Sequence, residues 1–288
     1  MKREATYSGK ALSKVHLFFR LIKEGGILAT LLFTLFYCVD YLFDIKNKTD
    51  IVPWGRIKGR GTLATLLFTL SYCVDYLFDM KYKTDTFSWV GLDALGIDDA
   101  KKEHAYWYET THAVPLRKLF KALRIQPGKV LVDLGCGKGK VLLIASEFGF
   151  KEVRGVEISP LLCDIASNNC SIYKARTKTN TVFSIHKIDV LDYGIKDDED
   201  VFYLCDPFDA YILEQVLKNV LASLQKRKRK IWIIYHDAEY QRGMIEEKMN
   251  PTTVFDFTFW GKEFLVYEVE QGEIGMRRPA PPSRDALL

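Results

Sequence analysis

Between Val130 and Lys140 the chain reads VLVDLGCGKGK. An apolar run ends in an acid at Asp133, and glycines follow at 135, 137 and 139. A strand that enters such a turn and leaves it as a helix brings a ligand against bare backbone, because glycine has no Cβ to hold the ligand off. Two phosphate-binding spacings can be tested against these positions. A dinucleotide fingerprint, GxGxxG counted from Gly135, needs glycine where Lys140 stands. A P-loop, GxxxxGK[ST] counted back from Gly139 and Lys140, needs glycine where Leu134 stands and a hydroxyl where Val141 stands. Both fail, and DxGxGxG remains. More carboxylates stand where later apolar runs stop: Glu157 closes EVRGVE, Asp189 sits in HKIDVLDY, and Asp206 sits in Cys205-Asp206-Pro207-Phe208.

These residues need a frame that gathers strand ends. Strands are predicted at 129–134, 152–157, 182–188, 201–205 and 230–236, with helices between most of them at 138–148, 160–175 and 209–225. Two closing strands, 253–260 and 263–270, meet around Gly261-Lys262 as a hairpin. Alternating strands and helices give a parallel sheet covered on both faces, an α/β fold with an antiparallel end. Ahead of it, Leu116, Leu119, Phe120 and Leu123 share a face of a helix over 115–125, with Pro115 at its first position. Asp98 is placed to cap a helix starting near Asp99.

With these elements the DxGxGxG turn resembles that of the class I S-adenosylmethionine (SAM) dependent methyltransferases, over roughly residues 104–270. The resemblance implies a Rossmann-like, seven-stranded, mostly parallel sheet with a terminal antiparallel hairpin. It implies that Asp133, Gly135, Gly137 and Gly139 hold the methionine part of SAM, that Glu157 grips the ribose hydroxyls, and that Asp189, with Val190 beside it, reads the adenine. It places the acceptor at Asp206, Pro207 and Phe208, the catalytic candidates. Amino-group methyltransferases often carry [DN]PP[YF] there; this chain has one proline. It is closer to a mostly bacterial group with an NPF or DPF triplet and poorly defined substrates. The lead-in HAYWYETTHAVPLRKLF also resembles that group, which implies cofactor contacts for Tyr108, Glu109 and Thr111. The expected reaction is methyl transfer from SAM to an unidentified acceptor, a protein or small-molecule amine. The alternative is a non-catalytic module that keeps the fold, or a membrane-associated helper. An oxygen acceptor would want a base, for which His236 beside Asp237 is the minority candidate.

The remaining sequence bounds the reading. A chain of 288 residues with 48% hydrophobic and 27% charged residues excludes bulk disorder and collagen-like or disulfide-scaffold classes. The net charge of +4 gives no strong nucleic-acid signal. Residues 27–50 and 62–85 match at 20 of 24 positions, a tandem duplication of an apolar helical segment. Each copy holds an aspartate, Asp40 or Asp75, costly at the middle of a bilayer. Residues 1–60 carry eleven Lys or Arg against five Asp or Glu, which suits an anionic surface. Residues 27–85 are therefore read as packed helices or a peripheral membrane contact rather than a span. Six scattered cysteines without a CxxC pair or zinc spacing are read as reduced thiols in a cytoplasmic protein, and no metal site is expected. The basic run Lys226–Lys230 is read as a solvated helix end. The domains expected are a helical extension over 1–100, a methyltransferase domain over 101–271, and a Pro-rich disordered tail over 272–288.

Overall fold

The computed structural model describes residues 62–103, 107–237 and 241–270. The first repeat copy and the Pro-rich tail lie outside the described residues. The chain divides into two compact units at the junction of Lys81 and Tyr82. In the first, the second repeat copy is helical, as part of α1 (Thr62–Tyr82). No helix among the described residues is long and apolar enough to cross a membrane.

The second unit passes through a 3₁₀ turn (Leu92–Ala94) to a short helix α2 (Asp99–Lys102) and then α3 (Ala113–Leu123). Pro115 is the third residue of α3 rather than the first. Asp98 holds the N-cap position of α2, but its side chain makes no cap bond. The sheet follows, with β1 (Val130–Leu134), β2 (Glu152–Glu157), β3 (Val182–Lys187), β4 (Val201–Cys205), β5 (Lys230–His236), β6 (Thr253–Phe259) and β7 (Lys262–Glu270). Between the strands run α4 (Lys140–Ala145), α5 (Pro160–Thr177), α6 (Ala210–Lys226) and α7 (Arg242–Met249). The strand order is β3-β2-β1-β4-β5-β7-β6. Strands β1 to β5 pair in parallel, and β7 runs antiparallel to both β5 and β6. This is the Rossmann-like sheet with a terminal hairpin.

Local chemistry accounts for the frame. All five residues of β1 are buried, as a central strand covered on both faces requires. Ser159 caps α5 by accepting from the Leu162 N–H at 3.3 Å, with Pro160 at the first helical position. Asp209 caps α6 by accepting from the Ile212 N–H at 3.0 Å. Leu213, Val216, Leu217, Val220 and Leu224 of α6 share a core with Val132, Phe202, Leu204, Ile231 and Ile233 of the strands. The closing hairpin turns at Trp260 and Gly261, both with positive φ (55° and 73°), the pair of left-handed residues a type I′ turn needs.

Candidate functional site

The order 3-2-1-4 reverses direction at β1, so the carboxyl ends of β1 and β4 flank a crevice. A cavity of about 410 Å³ lies there, within the range of pockets that bury small ligands. Its wall includes Asp133, Gly135, Gly137, Glu157, Asp189, Val190, Asp206, Pro207 and Phe208, with Tyr108, Glu109 and Thr111 from the lead-in. Of the residues singled out in the sequence, Gly139 stands off the wall: it is the left-handed residue (φ 83°) before α4.

The turn after β1 is built by backbone hydrogen bonds. The N–H groups of Gly135 and Cys136 both donate to the Val156 carbonyl, at 2.9 and 3.0 Å. Gly135 has φ 89°, and a Cβ on it would lie 2.5 Å from Pro207 Cβ. Gly137 has φ 51°, and a Cβ on it would lie 2.3 Å from the Tyr108 ring. Side chains are thus excluded twice over, by conformation and by close approach. Glu157 braces the turn, Oε2 accepting from the Gly137 N–H at 3.0 Å and Oε1 from the Ser159 N–H at 2.9 Å. The Ile158 N–H also bears on this carboxylate; with about four lone-pair sites, it keeps room for a hydroxyl donor.

The acids differ in environment. Asp133 is 2% exposed; burial and the nearby Glu157 charge hold its carboxyl well above the usual range. Burial raises Glu157 too, opposed by the backbone N–H groups it accepts. Asp189 Oδ1 accepts from the Leu191 N–H at 3.1 Å, and its Oδ2 lies 3.1 Å from Lys101 Nζ. Asp206 adopts φ 39°, a left-handed conformation that aspartate tolerates better than most residues. It accepts from the Tyr235 hydroxyl at 3.2 Å, and burial pushes its carboxyl upward against that bond. Trp107 and Tyr211, 45% and 60% exposed, line the same cavity. Among the described residues, Glu109, Asp133, Glu157, Asp189 and Asp206 face it with Lys101 and Lys140 as the cations on the wall, so its field favours a cationic ligand.

His236 is not on this wall. It is 2% exposed and stacks on Phe264 at 4.5 Å, and its Nδ1 lies 3.2 Å from the Tyr203 hydroxyl and 3.1 Å from Cys205 Sγ. Burial lowers its pKa to about 3, so it stays neutral. Among the described residues no His, Cys, Asp or Glu cluster could hold a metal ion, and the five described cysteines are free thiols.

Sequence reasoning missed Lys101, Tyr203 and Tyr211 on the wall. It also read the Lys226–Lys230 run as solvated, whereas the Arg229 guanidinium bonds the Glu199 and Lys196 carbonyls and Ser223 Oγ. Nothing in local spacing marks those residues, because their partners come from other elements.

SAM carries two cationic groups, a sulfonium and an amine. The residues present fit it: acids at successive strand ends and two glycines where a Cβ would collide with the walls of the cradle.

The family model described as "Histone methylation protein DOT1" matches residues 94–196. The adenine nucleotide translocase lysine N-methyltransferase of Mus musculus is 27% identical over 114 residues, 40% of this chain and 48% of that protein. The chain thus spans about half the length of the curated relative it matches. Similar solved structures include an RNA methyltransferase from Salinibacter ruber in complex with S-adenosyl-L-homocysteine, at 19% identity and a TM-score of 0.42, covering 55% of this chain and 93% of that one. A SAM-dependent methyltransferase from Aquifex aeolicus is similar at 14% identity and a TM-score of 0.43, covering 54% and 89%.

Proposed function

We propose that this chain, a class I SAM-dependent methyltransferase in its fold and sequence, transfers the methyl group to an amine of the lysine side-chain type. The observation that carries the reading is one cavity lined together by Asp133, Glu157, Asp189 and the Asp206-Pro207-Phe208 turn. When bound, SAM supplies an electrophilic methyl carbon on its sulfonium. Asp133 and the glycine turn would hold the methionine end, Glu157 the ribose hydroxyls, and Asp189 with Val190 the adenine. Asp206 would accept an N–H of the acceptor and aim the nitrogen lone pair at the methyl carbon. The new C–N bond forms as the C–S bond breaks. The acceptor would release one proton to solvent before transfer, and its nitrogen would then carry the positive charge that the sulfonium gives up. A lysine-type amine must first lose its charge, at about 4–5 kcal/mol from pKa 10.4 to pH 7. A carboxylate that orients the neutral amine contributes through position.

An oxygen acceptor is less favoured because the buried, neutral His236 does not reach the cavity. The DOT1 match and the lysine-modifying relative favour an amine and do not favour a non-catalytic module. The test is calorimetric titration with SAM, then transfer of labelled methyl to lysine-rich peptides. Wild type should bind and transfer, and Asp133→Ala should lose about tenfold or more in affinity. Well-folded wild type that does not bind SAM would refute the assignment.

The same reading includes a peripheral contact of residues 27–85 with an anionic membrane in a reducing, cytoplasmic setting. It is supported by the basic excess in residues 1–60. Carbonate should then release the protein from a membrane pellet; release by detergent alone would contradict it.

A further inference from the structure

We infer that residues 85–88 form a positioning strap for the cofactor turn, fastened by the buried ammonium of Lys138. The inference rests on the reading of that turn as the SAM site. Lys138 belongs to the glycine run, yet its whole residue is 1% exposed. Its Nζ lies 3.0 Å from both carboxylate oxygens of Asp85 and also donates to Ser88 Oγ. Ser88 in turn donates to Asp85 Oδ1 at 2.6 Å. The Asp85 main chain is clamped independently. Asn169 of α5, fully buried, accepts from the Asp85 N–H and donates to the Asp85 carbonyl, each at 2.8 Å, and donates to the Lys138 carbonyl at 2.9 Å.

The strap continues to the cover of the cavity. Lys140 Nζ bonds Thr86 Oγ1 at 2.8 Å, and the Tyr108 hydroxyl donates to the Thr86 carbonyl at 2.6 Å. Tyr108 is the ring that lies against Gly137, and its backbone pairs with Val90. One short segment therefore holds two lysines of the turn and the aromatic residue across it. Burying a lysine is costly unless it is paired, so the Asp85 carboxylate and the Ser88 hydroxyl help fix where Lys138 and the neighbouring peptide of Gly137 settle. Asp85 and Ser88 do not line the cavity and act through the turn, as positioning residues.

The experiment compares amide hydrogen exchange in SAM-free full-length protein with calorimetric SAM affinity, for wild type, Asp85→Ala, Asp85→Asn and Ser88→Ala. Asn169 holds the main chain at residue 85, so these changes isolate the side-chain contact. In Asp85→Ala the amides of residues 137–140 should exchange about tenfold faster while those of β4 and β5 keep their rates. SAM affinity should fall about tenfold at a temperature where the variant is fully folded. Asp85→Asn, which retains an acceptor oxygen, should recover part of both losses, and Ser88→Ala should show about a threefold loss. A merely structural role would lower the melting temperature and leave the folded protein's affinity unchanged. Unchanged exchange at residues 137–140 in folded Asp85→Ala overturns the inference; if that variant does not fold, unchanged exchange in Ser88→Ala does so. Wild type that fails to bind SAM would strike the functional reading, while the exchange rates still judge the strap.

Discussion

Asp133 is a carboxyl that folding makes harder to ionise. Its folded pKa stands above its unfolded value, so the native state binds the extra proton and stability falls as pH rises between the two. A cationic ligand reverses that preference, because the charged carboxylate is the form it attracts. SAM binding should therefore release a proton, and affinity should rise with pH up to the folded pKa of Asp133, by at most about tenfold per pH unit. Calorimetry in buffers of different ionisation enthalpy checks the proton release. Asp133→Asn should abolish that release and weaken SAM binding, while raising the melting temperature of the ligand-free protein by about 2–4 °C near neutral pH. A pH-independent affinity in wild type would contradict the linkage. Asp133, Glu157 and Asp189 were legible in the sequence because a strand end followed by an acid is a local pattern. Lys138 was not, since its partner Asp85 is 53 residues away, and a lysine among glycines reads as solvated until the fold buries it.

At the scale of elements, β1, β2, β4 and β5 are apolar enough to be read as strands, and the structure agrees within a residue at each end. The helix expected over 138–148 is broken up: Gly139 is left-handed, α4 starts at Lys140, and the last turn, Ser146–Phe148, is a 3₁₀ helix. Helix α7 was missed because only Ile245 and Met249 of its eight residues are buried, too few for a periodic signal. The strap was illegible for a different reason. Asp85 closes the second repeat copy and residues 86–104 read as its lead-out toward the core, yet Asp85, Thr86 and Ser88 bond Lys138 and Lys140 of the glycine turn. This gives the duplication a test. Deleting 27–61 joins Gly26 to Thr62 and keeps Lys83-Thr84-Asp85. Deleting 51–85 joins Asp50 to Thr86 and restores the same Lys-Thr-Asp-Thr order from the first copy. Both single-copy chains should bind SAM within about threefold of the full chain, whereas deleting 27–85, which removes both aspartates, should bind about tenfold more weakly. Loss of soluble expression and binding in both single-copy chains would show that both copies are needed.

Across the whole molecule the two edges of the sheet do different work. The carboxyl ends of the strands carry the cavity, and the amino ends are clasped by the loop before β4. Arg154 of β2 is buried; its guanidinium bonds Glu152, Asp198 at 2.8 Å and the fully buried Glu199 at 3.0 Å. Tyr193 donates to Glu199, Lys129 pairs with Asp200 at 2.9 Å, and Asp200 Oδ2 accepts from the first N–H of β1 at 3.0 Å. None of these residues lines the cavity. Arg154→Ala would leave Glu199 buried without its cation and should cost about 3–5 kcal/mol of stability. SAM affinity of the folded variant should stay within about twofold of wild type. Arg154 also holds Glu152 and Asp198 below the usual carboxylate range. Their contribution is fully present above an unfolded carboxylate pKa of about 4 and is lost as pH falls through the lower folded values. Denaturant melts of wild type should therefore lose stability over that acid range, and Arg154→Ala should lose less of it. If the variant instead kept its stability and lost SAM affinity, the amino-end clasp would be part of the cofactor site, and the division of labour between the two edges would fail.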